Sequence, residues 1–417
     1  MIRTTSLRAR LLLAGGAALA SACAPARPPE PLAPVVHVRR AMAAGIDDRL
    51  PAVLDSIMAV GIAERAAPGG SIAIGRYGQH VFTRGYGHTD WAADAPAVDD
   101  RTIYDLASLT KVVVTTTAAM ILEEEGRLDL DRTVASYLPE FNDSSKAAIT
   151  IEMLLTHRGG LEAYAQLFTT LCGREAYLEA INSRPLRYAP GERSVYSDWD
   201  MILLQLVIER ITGEPLDVFA RRRITEPLGM TDSFFNPDTT LVTRIAPTEL
   251  LTSTGQLIHG VVHDENARAI GGVAGHAGFF SSARDLAIFA QMMLNGGHYG
   301  TVRILRPTTI ARWTSRQEAD TSRALGWDTP SGRSSAGRFF SPRSFGHTGF
   351  TGTSVWMDPV KDMYVVLLTN RVNPTRQSTR VFQLRRDVAD AAQWAVMDAP
   401  LVEWEVTRLP PPSGGSW

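Results

Sequence analysis

Lysine is nearly missing from this chain. Of its 42 basic residues only three, Lys111, Lys146 and Lys361, are lysines. Arginine carries the rest, and a guanidinium keeps its proton throughout the working pH range, whereas an amine can release it. Proton-transfer chemistry that needs an amine therefore has few places to sit. Cysteine is scarcer still, with only Cys23 and Cys172. No disulfide framework can be built from them, so stability must come from an apolar core. Cys172 reads as a small buried apolar residue. Charge is close to balanced at a formal −2, and no long basic run occurs, which leaves nucleic acid without support as a partner. Beyond the first two dozen residues no apolar run reaches the length of a membrane span. The nucleophile elbow Gly-x-Ser-x-Gly is absent too, which removes the α/β-hydrolase route to an esterase.

Residues 1–22 have the features of an export signal: Arg3, Arg8 and Arg10, an apolar core from Leu11 to Leu19, then small Ala20-Ser21-Ala22. Ala20-Ser21-Ala22-Cys23 resembles a bacterial lipoprotein box, with Ala20 in place of the usual leucine. The expectation is an exported protein, periplasmic or on the cell surface, held to a membrane by a lipid on Cys23. The alternative is an ordinary cleaved signal that leaves Cys23 a free thiol. Residues 23–40 form a tether rich in Pro and Ala, with Pro25, Pro28, Pro29, Pro31 and Pro34. Residues 401–417 are a C-terminal tail.

The body, residues 41–400, changes its rhythm along its length. Arg40 to Arg65 has helical apolar spacing, and Gly69 to Tyr86 reads as a hairpin turning at Arg76-Tyr77-Gly78. A central helix is predicted over Thr110–Glu125, stopped by Gly126. Shorter helices follow at Ile151–Leu155 and Asp198–Ile211, the latter closed by Gly213. Leu286–Leu294 is another. Strand-like runs appear at Ser354–Met357 and Met363–Leu368, and a helix over about Thr379–Met397 ends the body. The simplest architecture is a sheet assembled from both ends of the chain with a helical lobe inserted between them.

Three stretches carry chemistry. Ser108-Leu109-Thr110-Lys111 opens the central helix, where positions three apart share a face, so the two side chains can meet. A serine hydroxyl needs a base, and a desolvated lysine can be one. With 26 serines and three lysines, chance produces such a pair about one time in five, so the pair needs company. Ser194-Val195-Tyr196-Ser197-Asp198 precedes an apolar helix. A tyrosine there can point into a cleft, and beside an ammonium its phenolate is favoured as a base. Phe345-Gly346-His347-Thr348-Gly349-Phe350-Thr351-Gly352-Thr353 leads into a strand. Its glycines allow close backbone approach, and its N–H groups can face a developing oxyanion.

Ser108-x-x-Lys111, Tyr196-Ser197-Asp198 and His347-Thr348-Gly349 stand in the order of the three motifs of penicillin-recognising serine enzymes. The chain resembles the class C β-lactamase and D-alanyl-D-alanine carboxypeptidase family, which also holds esterases and D-aminopeptidases. Leu154 to Leu161, Pro227-Leu228-Gly229-Met230, Leu325-Gly326-Trp327 and Leu368-Thr369-Asn370 share the likeness, which runs from about Ile46 to Met397. The resemblance implies an α+β, β-lactamase/transpeptidase-like fold: an antiparallel sheet flanked by helices, with an inserted all-helical lobe at about 111–265 and the site in the cleft between. It implies Ser108 as the acylated nucleophile, with Lys111 and Tyr196 handling protons. Backbone N–H groups of Ser108 and Phe350 would form the oxyanion hole. Asp198, His347, Thr348, Gly349 and His276 would meet substrate. No cofactor and no metal is implied.

Two departures bear on substrate. His347 stands where many β-lactamases have lysine, as in the carboxypeptidase and esterase branches. Asp198 stands where penicillin-recognising members usually have asparagine, and an ionised carboxylate cannot donate to a substrate carbonyl. The stretch Val262 to Ala267 with Gly271 to Phe280 looks like a subgroup acting on cell-wall fragments. His263, Asp264 and His276 can be read as metal ligands or as residues that order loops at the cleft, and a serine mechanism favours the latter. The expected function is a serine hydrolase of esters or amides, including peptidoglycan fragments. A true β-lactamase or slowly turning over penicillin-binding protein, and a non-catalytic binding lipoprotein, are the alternatives.

Overall fold

The computed structural model describes residues 42–332 and 334–403. The export signal, Cys23, the tether and residues 404–417 of the tail lie outside the described residues.

The strands that frame the site are β1 (Gly69–Arg76), β2 (Gln79–Gly87), β3 (Ile103–Asp105), β4 (Phe234–Phe235), β5 (Phe279–Ser282), β6 (Phe345–Thr348), β7 (Ser354–Asp358) and β8 (Met363–Thr369). The helices that matter are α1 (Leu50–Ala63), α2 (Thr117–Glu124), α3 (Ile151–Leu155), α4 (Asp198–Thr212), α5 (Glu265–Ala269), α6 (Ala283–Leu294) and α7 (Val381–Trp394). The two ends of the chain meet in one antiparallel sheet of order β6-β7-β8-β1-β2. A smaller sheet, β3-β5-β4, carries the chain into the helical lobe. The fold is β-lactamase/transpeptidase-like, as the motif order implied.

Alternation along the central strands explains why helices cover both faces. On β1 and β8, Ile72, Ile74, Val365 and Leu367 pack with Leu54 and Met58 of α1 and Leu384 and Val388 of α7. Ala73, Val366 and Leu368 point the other way, into the large core that holds Leu286 and Phe289 of α6. Each of these side chains larger than Ala73 contributes about 1.5–3 kcal/mol by leaving water, and a one-residue slip would exchange the two sets. The hairpin turns at Tyr77 and Gly78, both with positive φ (51° and 69°), as a two-residue turn between twisted strands requires.

Helix boundaries moved where capping, not periodicity, decides. The apolar rhythm predicted from Arg40 is interrupted: Met42 and Ala43 are helical, the chain then turns, and the long helix α1 starts at Leu50. Gly45 has φ 65°, and Asp47 Oδ1 takes the Arg49 N–H at 2.8 Å. The helix α6 begins at Ala283, three residues before the apolar pattern, because Ser282 accepts from Asp285 N and caps it. The predicted central helix is present, but its first turn, Lys111–Thr116, is π-helical before α2 begins. Thr115 Oγ1 leaves this turn for Gly275 O (2.7 Å), an anchoring of the kind that accompanies π-turns at functional sites. Cys172 corrects an expectation: it is exposed, not buried. It lies in the loop before the helix Arg174–Ser183, and core packing does not reach it. Among the described residues no helix is long and apolar enough to cross a membrane.

Candidate active site

Ser108 occupies the tight turn between β3 and the π-helical segment. The turn is held by its own amides: Ala107 N donates to Asp105 Oδ1 (2.8 Å), Leu109 N to Leu106 O and Thr110 N to Ala107 O. Ala107 has φ 46°, strain of a kind that gathers at reactive turns. Lys111 Nζ donates to Ser108 Oγ at 2.9 Å and to His276 O at 3.0 Å. It stands 2.8 Å from Asp198 Oδ1. The i, i+3 meeting expected of Ser108 and Lys111 is therefore present, and Asp198 joins it from the start of α4.

The charge state of Lys111 follows from competing influences. Burial is the largest and pulls its pKa down, but the Asp198 carboxylate and the Tyr196 oxygen outweigh it, and the amine ends above the usual lysine value. Lys111 is thus an ammonium, with its nitrogen 4.8 Å from the centre of the Tyr196 ring. Tyr196 is 5 % exposed. Its hydroxyl stands beside Lys111 and Ser108, yet closes no hydrogen bond of ordinary geometry. Here the expectation of a phenolate is corrected. Burial, the largest influence, raises the phenol's pKa, and Lys111 lowers it without cancelling that rise. The resting site holds a phenol.

The glycine loop closes on Ser108 as the sequence expected. Thr351 Oγ1 donates to Asp105 O (2.7 Å) and Thr353 Oγ1 to Leu106 O (3.0 Å). A Cβ on Gly349 would lie 2.2 Å from Leu106 O, so only glycine permits this approach. The loop carries Phe350 to the same turn as Ser108. Arg385 donates to Gly349 O and Thr353 O (2.6 and 2.9 Å). His347 and Thr348 lie on β6, an edge strand of the sheet. His347 is 5.8 Å ring-to-ring from Tyr196 and bonds Thr348 O through Nδ1 (2.8 Å). Burial, then Arg323 and Lys111, push its pKa well below the usual histidine value. His347 is neutral and gives no charge to replace the lysine of other third motifs.

His263, Asp264 and His276 do not form one cluster. His263 N donates to Asp105 Oδ2 (2.6 Å). Its ring meets Glu249 (3.1 Å) and stacks on Phe350 with centroids 5.8 Å apart. It orders the loops behind the turn. Asp264 and His276 instead gather with Asp198, all three offering ligand atoms within 4.8 Å of one another. His276 Nε2 bonds Asp264 Oδ1 (2.9 Å). At 1 % exposure the ring itself is out of a substrate's reach, which corrects its place among the substrate contacts. It acts through Asp264.

Three neighbours escaped the sequence reading. His157 packs on Tyr196 with ring centroids 4.7 Å apart and bonds Asp200 Oδ2 at 2.9 Å. Both are about 1 % exposed. Burial drives the His157 pKa well down and the Asp200 pKa well up, so the imidazole is neutral and the carboxyl resists ionisation. Arg323 lies over the Tyr196 ring at 5.0 Å. The Leu154–Leu161 stretch marked His157 as part of a family-like segment, but nothing local pairs it with Asp200 across 43 positions.

The profile of the Beta-lactamase family matches residues 52–390. Among curated relatives, the "Putative D-alanyl-D-alanine carboxypeptidase" of Escherichia coli (strain K12) is 39 % identical over 300 residues, covering 65 % of this chain and 69 % of that protein. Two solved structures share the fold. EstCE1, a hydrolase with promiscuous acyltransferase activity, is 23 % identical with a TM-score of 0.67, covering 82 % of this chain and 99 % of its own. A class C beta lactamase is 16 % identical with a TM-score of 0.67, covering 82 % and 98 %. The profile match takes in all three motif stretches now seen to converge at one turn, and the chain belongs to the Beta-lactamase family of serine hydrolases.

Proposed function

We propose that this protein hydrolyses esters or amides through an acyl-enzyme on Ser108, with short cell-wall peptides among its substrates. The observation that carries this is the 2.9 Å contact of Lys111 Nζ with Ser108 Oγ, beside a buried Tyr196 hydroxyl that has no partner of its own. Neither Lys111 nor Tyr196 rests in its basic form, so the proton moves in concert. As Ser108 Oγ bonds to the substrate carbonyl carbon, the tyrosine oxygen takes the serine proton and passes its own to the leaving nitrogen or oxygen. The Lys111 ammonium stabilises the negative charge that builds on both oxygens. Backbone N–H groups of Ser108 and Phe350 receive the carbonyl oxygen. Water, activated by the same tyrosine, then releases the acid.

The relative with a carboxypeptidase name supports peptide substrates, and Asp198 in the second motif weighs against β-lactams. A fluorophosphonate or fluorescent penicillin probe, read by intact-protein mass spectrometry, tests the reading. Wild type should gain one adduct and Ser108→Ala none, with the loss of nearly all turnover. Labelling that persists in Ser108→Ala overturns the assignment.

A further inference from the structure

Two arginines stand behind the loop that bears Phe350, and neither meets an acid. Arg385 of α7 and Arg371, just past β8, are each 4 % exposed. Among the described residues neither forms an ion pair, whereas the neighbouring Arg376 holds both Glu249 (2.5 Å) and Glu265 (2.7 Å). Every acceptor they have is a backbone carbonyl. Arg385 Nη2 donates to Gly349 O (2.6 Å) and Thr353 O (2.9 Å). Arg371 donates through Nε to Phe350 O (2.7 Å) and through Nη1 to Arg376 O (2.8 Å) and Ser378 O (2.9 Å). The Nε of Arg385 has no acceptor. Burial, then the Arg371 charge, pulls the Arg385 guanidinium down to about 9. Burial, then Arg376, pulls Arg371 down to about 10. Both remain cations at neutral pH. A buried charge without a counter-charge is expensive, and an apolar side chain of that size would hold α7 against the loop at less cost. A cation is kept here for something other than packing.

The carbonyls it takes are specific. A trans peptide unit is planar, with its C=O and its N–H on opposite sides. The Gly349 carbonyl and the Phe350 N–H belong to one such unit, and the Phe350 carbonyl belongs to the next. The two arginines thus hold consecutive peptide planes, and the first is the plane of the N–H assigned to the oxyanion hole. They do so from behind. Arg385 comes from α7, whose Leu384 and Val388 pack on one face of the sheet, while Leu106 and Leu109 of the Ser108 turn belong to the core on the other. Gly349 O also takes the Gly352 N–H (3.0 Å), which closes the turn, and Thr353 O takes the Gly349 N–H (2.8 Å). Arg385 spans both ends of that turn. Its bond to Gly349 O is charge-assisted, and a polarised carbonyl makes the N–H of the same unit a stronger donor.

We propose that Arg385 is a positioning residue of the oxyanion hole. Its guanidinium fixes the peptide plane shared by Gly349 and Phe350. Its charge, together with that of Arg371, finds a counter-charge in the oxygen anion that forms as Ser108 attacks. The arginines then stabilise the transition state and not the resting substrate complex. The inference rests on the acyl-enzyme reading above, and the test separates the two.

Wild type, Arg385→Met and Arg385→Lys are compared with p-nitrophenyl butyrate as substrate and phenylboronic acid as inhibitor, which closes on a serine oxygen as a tetrahedral anion. Gly349 O and Thr353 O keep their backbone donors in Arg385→Met, so neither carbonyl is orphaned and Tm should equal or exceed that of wild type. Counted per Ser108 that takes a fluorophosphonate, kcat should fall about ten- to a hundredfold, a loosened donor being worth less than a lost one. Acylation and deacylation both pass through an oxyanion, so they slow together and KM should stay near its wild-type value. Phenylboronic acid should weaken by the same factor as kcat/KM. Arg385→Lys, which keeps the charge but not the planar donor, should fall between. A tie that served only to hold α7 would instead lower Tm and leave both kcat and the inhibitor unchanged. Arg385→Met that folds and keeps more than about a third of the wild-type kcat overturns the proposal, as does a loss confined to KM. Should Arg385→Met not fold, Arg385→Lys decides. There, kcat and inhibitor affinity reduced in step by about threefold or more, with KM held, support the proposal, and an unchanged kcat overturns it. Wild type that hydrolyses no ester and takes no label on Ser108 sinks the hydrolase reading and this proposal with it. A labelled, active wild type beside an indifferent Arg385→Met sinks the proposal alone.

Discussion

The Asp198 carboxylate holds the Lys111 ammonium at 2.8 Å, and that contact sets what the lysine can do. Burial alone would push the amine towards its neutral form, and Asp198 reverses this. Asp198→Asn removes the charge and leaves burial in command, so the Lys111 pKa should drop. Asparagine also supplies an amide donor for a β-lactam carbonyl. One such bond is worth about 1.5–3 kcal/mol, so nitrocefin hydrolysis relative to a small ester should rise roughly ten- to a hundredfold. Steady-state kcat/KM for both substrates checks this. Wild type that already matches its best ester with nitrocefin would contradict it.

The protonation states fix the shape of the pH profile. Lys111 and Tyr196 are both raised above their ordinary values of 10.5 and 10.0, so the ammonium–phenol pair persists through neutral and mildly alkaline pH. Neither should produce a limb in kcat/KM below about pH 10, and activity should decline only as they deprotonate above it. A phenolate base would instead show activity climbing with pH between 7 and 10. Asp198→Asn should bring such a climb into view, because its Lys111 gives up the proton earlier.

Much of this was legible from residue order, and the remainder fails for identifiable reasons. The continuous apolar, β-branched and aromatic run from Met363 to Leu368 and the caps at Gly126 and Gly213 are local, and local rules placed those elements. Ser108 and Lys111 were readable because one turn of chain joins them. Their environment was not. Whether Tyr196 is phenol or phenolate depends on how deeply the fold buries it, and burial is a sum over distant segments. Asp200 looks in sequence like one more acid in the first turn of α4. Only the fold sets it 2.9 Å from His157 and against Gly159, where a Cβ would lie 2.8 Å from its Oδ1. Cys172 was misplaced because composition says how often a cysteine is buried, not which loop carries it.

His157 is a positioning residue for Tyr196. Its carbonyl takes the Val195 N–H (2.8 Å) and its Nδ1 lies 3.3 Å from Ser197 N, so it grips the chain on both sides of the tyrosine. His157→Gln should lower kcat by about tenfold or more while leaving KM near its wild-type value. A role confined to stability would not split the constants this way. The pH dependence of stability gives a second readout. The folded His157 pKa lies well below 6.5, so its contribution is full above pH 6.5 and is lost as pH falls below that. Asp200, raised above 3.8, works in the opposite direction and is present in both proteins. Between pH 7.5 and 5.5, wild type should therefore lose more unfolding free energy than His157→Gln, by up to about 1.4 kcal/mol for each pH unit below 6.5.

Cys23, if it carries the lipid anchor, makes fractionation a direct test. The box Ala20-Ser21-Ala22-Cys23 predicts membrane association for the full chain and its loss in Cys23→Ser. Unchanged membrane association in that variant would point to an uncleaved signal as the anchor.

Gly349 tests whether the loop bearing Phe350 supplies the second oxyanion donor. Its missing side chain is a contact requirement, since a Cβ would fall 2.2 Å from Leu106 O and 2.1 Å from Thr353 Oγ1. One of those atoms is backbone in the turn that holds Ser108, so Gly349→Ala must push the loop and the nucleophile turn apart. Thr353 Oγ1 would lose its bond to Leu106 O, and Arg385 its bridge between Gly349 O and Thr353 O. A donor displaced by this much no longer meets an oxyanion at 2.7–3.1 Å, and loss of one such donor costs about a hundred- to a thousandfold in kcat. The strand β6 keeps its four pairings with β7, so the sheet should survive and circular dichroism should match wild type. The substrate-facing residues of β6 are unchanged, so KM should move far less than kcat. If Gly349→Ala folds and keeps more than about a tenth of the wild-type kcat, the Phe350 amide is not an oxyanion donor, and the site stabilises the developing charge by another route.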